Sequence, residues 1–214
     1  MSFNLKSLVA AAITVVAVSA GAAPDASAAE FHCSVDPCRV TVKPDGTGKT
    51  AHQVFQVWTN AESESFAFTC DSISGDGTLE TKTSKELELT NVEYHGCLAE
   101  LESSVKMNGC TYLLNASGQM SIKCPKGKQI EWAALKCTVT IGEQGSLSTI
   151  KYQGVGGGKS ELTVQTTVAK IKATVEAGCA MKPGEAEGRI TTASFILTAE
   201  TDNEAAEMAN VWWE

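Results

Sequence analysis

The chain has 214 residues, 17 Lys and Arg against 25 Asp and Glu for a net charge of −8, and eight cysteines. That length suits one sizeable domain or two small ones, and 43% hydrophobic with 20% charged residues excludes wholesale disorder. The acidic balance argues against a phosphate-binding surface, and so against nucleic acid, while 6% aromatics is thin for a stacking platform or a large carbohydrate cleft.

The first 28 residues have the pattern of a secretory signal. Lys6 precedes the apolar run Leu8 to Val18, and Ala26-Ser27-Ala28 forms a small-x-small cleavage site, which sets the mature start at Ala29 or Glu30. The apolar run is shorter than the roughly 20 residues of a spanning helix, so no transmembrane anchor is expected. The signal carries one Lys and one Asp, so the mature chain keeps its charge of −8. All eight cysteines (Cys33, Cys38, Cys70, Cys97, Cys110, Cys124, Cys137 and Cys179) follow the cut. An even count in an exported chain points to disulfides, because the compartment outside the membrane is oxidising. Zinc is the alternative, with His32 beside Cys33 and Cys38, or His95 beside Cys97. No C-x2-C pair exists, however, and structural zinc sites favour tight pairs, so no metal or cofactor is expected.

Beyond the cut, period-2 alternation with β-branched residues dominates. Strands are expected at Arg39–Lys43, Val54–Thr59, Ser65–Cys70 and Glu86–Glu93, with turns at Pro44-Asp45-Gly46 and Gly75-Asp76-Gly77. Further strands follow at Cys110–Leu114, Met120–Cys124, Cys137–Ile141 and Ser148–Tyr152. The longest runs from Glu161 to Glu176. Its apolar set is Leu162, Val164 and Val168, then Ile171, Ala173 and Val175, and this parity switch predicts a β-bulge. Arg189–Ala199 and Ala209–Trp213 complete the set. Only Ile130–Leu135 and Asn203–Met208 show helical periodicity, each for a turn or two. The pattern predicts one all-β domain over 29–214, a disulfide-bonded β-sandwich or barrel-like set of antiparallel sheets.

Cys97 and Cys110 are 13 residues apart, as are Cys124 and Cys137, with an offset of 27 between the pairs. On that offset Cys110-Thr-Tyr-Leu-Leu falls on Cys137-Thr-Val-Thr-Ile. We read a duplicated hairpin over about 97–152, since two copies fall short of a solenoid. If each copy closes its own loop, the bonds are Cys97–Cys110 and Cys124–Cys137. Cys33–Cys38 is then a local loop and Cys70–Cys179 the long-range staple. Asn108-Gly-Cys-Thr-Tyr112, Ile122-Lys-Cys-Pro-Lys-Gly-Lys128 and Lys136-Cys-Thr-Val-Thr-Ile141 resemble motifs of a paralogous family of uncharacterised exported actinobacterial proteins. The resemblance covers about Tyr94 to Trp213 and implies a common β fold and export. It carries over no catalytic residues.

Motifs for chemistry are weak. Gly154-Val-Gly-Gly-Gly-Lys-Ser160 lacks the first glycine of a Walker A loop, where Gln153 stands, and reads as a flexible turn. A hydrolytic triad needs a nucleophile held by a base. There is no G-x-S-x-G elbow, and His32, His52 and His95 read as surface or turn histidines. Paired carboxylates are expected by chance in so acidic a chain, so they single out no glycosidase pair. Asn115-Ala-Ser117 is a glycosylation sequon that matters only in a eukaryotic host. Lys123, Lys126 and Lys128 form a solvated basic loop.

The expectation is a non-catalytic, secreted or cell-envelope protein, acting as a binding or structural module toward a cell-surface component, an extracellular protein or a glycan. A secreted hydrolase on a β-sandwich is the alternative, and a disulfide-framed protease inhibitor the third. The best single binding contact is Trp212. If Val211 and Trp213 share the core face of a terminal strand, Trp213 is buried and Trp212 faces outward.

Overall fold

The computed structural model describes residues 29–44, 53–58, 65–99, 101–148, 150–155, 161–192, 195–200 and 209–214. These residues form nineteen strands and no helix. In chain order they are β1 (Phe31–Cys33), β2 (Cys38–Pro44), β3 (Gln53–Trp58), β4 (Ser65–Cys70), β5 (Ser72–Leu79), β6 (Thr83–Ser84) and β7 (Glu86–His95). Then come β8 (Leu98–Ala99), β9 (Leu101–Lys106), β10 (Thr111–Asn115), β11 (Gln119–Lys123), β12 (Ile130–Ala134) and β13 (Cys137–Ile141). The last are β14 (Gln144–Ser148), β15 (Ile150–Val155), β16 (Glu161–Val175), β17 (Gly184–Thr192), β18 (Phe195–Glu200) and β19 (Val211–Trp213). Every pairing is antiparallel. The fold is all-β and disulfide-bonded, built of curled sheets.

The long strand β16 is the spine. Its N-terminal half pairs with β15 and β18, and its C-terminal half with β17 and β13. From that second half the pairings run in a ring: β16, β17, β3, β4, β8, β9, β12, β13 and back to β16. From the first half a curled sheet runs through β18, β2, β5, β7, β10 and β11 to β14. The switch falls at the bulge that the parity change predicts, between Val168 and Ile171, where Lys170 takes a φ of 60°. One extra residue there turns the apolar side of β16 from one interior to the other.

The neighbouring chain splits at the same place. Ile150 pairs with Thr166 and Val155 with Glu161, a register that would set Gln144 opposite Lys172. Instead β14 leans away to pair with β11. The Gln144 side chain fills the gap, donating from Nε2 to the Lys172 carbonyl at 3.0 Å and accepting from the Lys172 amide at 2.8 Å. A side-chain amide thus replaces the missing ladder rung and pairs both backbone groups of Lys172.

The ring interior is aromatic. Phe55 stacks on Trp132 with centroids 4.9 Å apart, and Phe68 meets Trp132 edge-on at 5.2 Å. Where the ring joins the curled sheet, the hydroxyls of Tyr94 and Tyr112 hydrogen-bond at 2.8 Å. Burial raises both acidities' midpoints: Tyr94 stands well above the usual phenol value, and Tyr112 is pushed up to about 12 against a lowering effect of the Tyr94 hydrogen bond. A third, small sheet, β19–β1–β6, brings the two chain ends together, with Glu30 N–H donating to the Glu214 carbonyl at 2.8 Å.

Five sequence expectations are corrected. Among the pairings, Cys33–Cys38 forms as expected, but the others are Cys70–Cys97, Cys110–Cys124 and Cys137–Cys179. The cause is strand adjacency: β4 lies beside β8, Cys110 and Cys124 flank the paired ends of β10 and β11, and β13 lies beside β16. The second half of the proposed duplication is no hairpin, since β13 pairs with β12 and β14 with β11. Gly75-Asp76-Gly77 lies inside β5, where a Cβ at Gly77 would stand 2.8 Å from Val40 Cγ2 on the neighbouring strand. Close packing, not a turn, requires that glycine. Ile130–Leu135 is a strand with alternating burial, not a helix, and Arg189–Ala199 is divided between β17 and β18. The signal segment, Asp45-Gly46, His52 and Asn203–Met208 lie outside the described residues.

Candidate functional site at the open end of the ring

One end of the ring is lined differently from its middle. The last inward-facing residue of each strand is found by stepping in twos from the aromatic layer: Phe66 from Phe68 on β4, Ala134 from Trp132 on β12, and Cys137 from Val139 on β13. Across the ladders Val57 stands opposite Phe66, Ala134 opposite Cys137 and Val175 opposite Gly184. Phe66 packs edge-on against Phe68 at 4.6 Å and forms the floor toward the aromatic layer. Above it Ala99, Ala134 and Ala180 present only methyl groups, leaving a concavity of about 510 Å³.

Its lip is the two-residue link between β12 and β13. Leu135 sits there with φ 53° and is 80% exposed. Tight hairpin links favour Asn, Asp or Gly because those residues tolerate positive φ. A leucine there is strained by roughly 1–3 kcal/mol, and strain of this kind collects at sites that bind or react. The adjoining loop is fastened to the lip. Gly178 takes a φ of 102°, and a Cβ on it would collide with the Lys136 carbonyl oxygen. Next to it Cys179 bonds to Cys137. The lip, the loop and β13 are therefore one covalently tied unit.

Sequence reading missed this site. Leu135 was hidden inside an expected helix, and its exposure follows only once Ile130–Ala134 and Cys137–Ile141 are both strands. Trp212, the expected contact, is half-buried. It stacks on His32 at 5.3 Å, its cross-strand partner, while His32 Nε2 lies 3.7 Å from a Glu214 carboxylate oxygen. Trp213, expected in the core, is 38% exposed, and its indole N–H donates to the Ala116 carbonyl at 2.8 Å. The expected assignment of the two faces is reversed in part. Val211 is buried, but β19 lies on top of the curled sheet's rim, so Trp213 covers Tyr152 without being covered itself.

The remaining candidates are placed as follows. His95 Nε2 hydrogen-bonds Ser74 Oγ at 2.8 Å and lies 3.9 Å from Glu93. Both meet the same ring nitrogen on an exposed face, whereas a relay sets acid and nucleophile on opposite nitrogens. Lys123 lies 3.6 Å from Glu143, and Asn115 accepts bonds from the Ser117 amide and hydroxyl in an exposed turn. Gly154 belongs to β15, and residues 156–160 lie outside the described residues. A second concavity of about 360 Å³, on the outer face of β13, β16 and β17, is polar and carries Glu143, Glu185 and Glu187 beside Lys172. Among the described residues no group of three or more His, Cys, Asp or Glu could hold a metal ion. No protein-family model, curated protein or solved structure matches the chain.

Proposed function

We propose that the chain is a secreted or cell-envelope binding protein, without catalytic activity, that takes an apolar group into the open end of the ring. Leu135 carries this reading. An 80% exposed leucine held at positive φ is unfavourable twice, in hydration and in backbone strain, and a ligand that covers it removes the first cost. The concavity beside it lies in the mouth of a strand ring, a common position for small-molecule sites, and its volume of about 510 Å³ falls in their range.

Export is supported from two sides. The four disulfides are the mark of a chain that folds outside the reducing cytoplasm. A cut after Ala28 would leave Glu30, the second mature residue, in its ladder with Glu214. Among the described residues no helix is long and apolar enough to cross a membrane. The test is binding of the neutral apolar dye N-phenyl-1-naphthylamine to the native protein and to Leu135→Asp. Saturable binding that falls at least tenfold in the variant, with a melt no less stable than the parent's, supports the reading. Absence of binding, or binding indifferent to Leu135, overturns it.

A further inference from the structure

Resting on that reading, we infer that the ligand is a single-chain amphiphile with an anionic head, its tail in the ring end and its head at Lys136. The inner lining offers a tail nothing but apolar contact. Ala99, Ala134 and Phe66 carry no hydrogen-bonding side-chain atoms, so a polar group pushed down to them would lose its water without compensation. The rim offers the opposite. Lys136 is the one charged residue in the described lining, and no carboxylate stands with it, on a chain whose net charge is −8. The other concavity carries three carboxylates, so the cationic rim is a local departure from the surface around it. Its position is also fixed. The backbone at Lys136 is held by the close approach of Gly178 and by the neighbouring Cys137–Cys179 bond, so the ammonium swings from an anchored point beside the mouth.

A peptide fits the β12–β13 side of this rim poorly. β12 is paired on both sides, with β9 and β13, and β13 with β12 and β16. Neither strand has a free edge to satisfy the backbone of a bound peptide, and a buried peptide group without partners is unfavourable. An alkyl tail has no such groups to satisfy.

The experiment uses the native protein loaded with N-phenyl-1-naphthylamine and displaced by dodecanoate, dodecanol or dodecylamine, all below their micellar concentrations. Dodecanoate is expected to compete about fivefold better than dodecylamine at low salt, the scale of one exposed ion pair, and the preference should shrink as salt rises. Lys136→Glu, an exposed substitution that leaves the backbone contact with Gly178 in place, should reverse the order. If dodecylamine competes as well as dodecanoate, or if Lys136→Glu leaves the order unchanged, the anionic head is wrong while the apolar site stands. If the dye binds but none of the three displaces it, the amphiphile itself is wrong. If the dye fails to bind, the underlying reading falls with it.

Discussion

The two halves of the ring interior are built from the same strands and filled in opposite ways. Toward the junction with the curled sheet, Phe55, Phe68 and Trp132 are buried to within about 1% of their surface and touch ring to ring. Two residues further along β12, and just past it, stand Ala134 and Leu135, one too small to fill the space and the other turned out of it. The alternation places these side chains; their sizes decide whether the interior is a core or a cavity. Stability therefore resides in the aromatic half and binding in the alanine half, and the two should respond separately to substitution.

The largest separation is expected at Trp132. Trp132→Ala should cost about 4–5 kcal/mol, since it empties the layer that Phe55, Phe68 and Tyr94 share. Among the described residues the indole N–H has no hydrogen-bond acceptor, so Trp132→Phe should cost much less: the lost volume is offset by removal of an unsatisfied donor. Denaturant melts of the two variants decide it, and equal losses would mean that the aromatic layer does not hold the ring. Next is the staple of the other half. Cys137–Cys179 spans 42 residues, and its replacement by alanines should cost roughly 4 kcal/mol by loop-closure entropy. Because the same bond anchors the loop at the lip, dye binding should fall along with stability. A Cys110–Cys124 double variant, closing a separation of 14, should lose about 3 kcal/mol and keep its binding.

Alkaline titration probes the boundary between the ring and the curled sheet. Tyr94 and Tyr112 have their midpoints raised by burial, Tyr112 to about 12, while an unfolded phenol titrates near about 10. Above pH 10 the unfolded chain loses these protons first, so the folded state binds more protons and stability falls as pH rises. The contribution is fully present below pH 10 and is lost through about 12 for Tyr112. Tyr112→Phe should shift the alkaline unfolding midpoint upward, as followed by circular dichroism. A midpoint that does not move would place the alkaline limit elsewhere.

How much of this was legible before the structure depends on whether the information is local. The bulge in β16 was readable because a period of two has only two phases, and a phase change between Val168 and Ile171 has one cheap explanation. Cys33–Cys38 was readable for the same local reason. Cys110–Cys124 could also have been found, since both strands of its hairpin were expected and the cysteines flank them. The 27-residue offset pointed elsewhere because it compared sequences rather than neighbours. Cys70–Cys97 and Cys137–Cys179 depend on which strands lie side by side, and alternation carries no such signal. Nor does it show that Gly77 is needed by Val40 on another strand. The site was hidden for the same reason, because this ring end brings β4, β8 and the β12–β13 hairpin together from distant parts of the sequence.

The smallest effect is the sharpest test of the division between the halves. Leu135→Gly removes the Cβ that positive φ crowds, a saving of about 1–2 kcal/mol. Glycine's extra freedom in the unfolded chain takes back about 0.5–1 kcal/mol. An 80% exposed side chain has little burial to lose, so the variant should be more stable than the parent by up to about 1.5 kcal/mol. Leu135→Ala keeps the crowding and should gain nothing. Both should bind the apolar dye more weakly, because both remove the lip. Opposite movements of stability and binding in Leu135→Gly are what a strained binding residue produces. A glycine variant that loses stability would instead make Leu135 an ordinary packing residue, and the distinction between a filled half and a binding half would not hold.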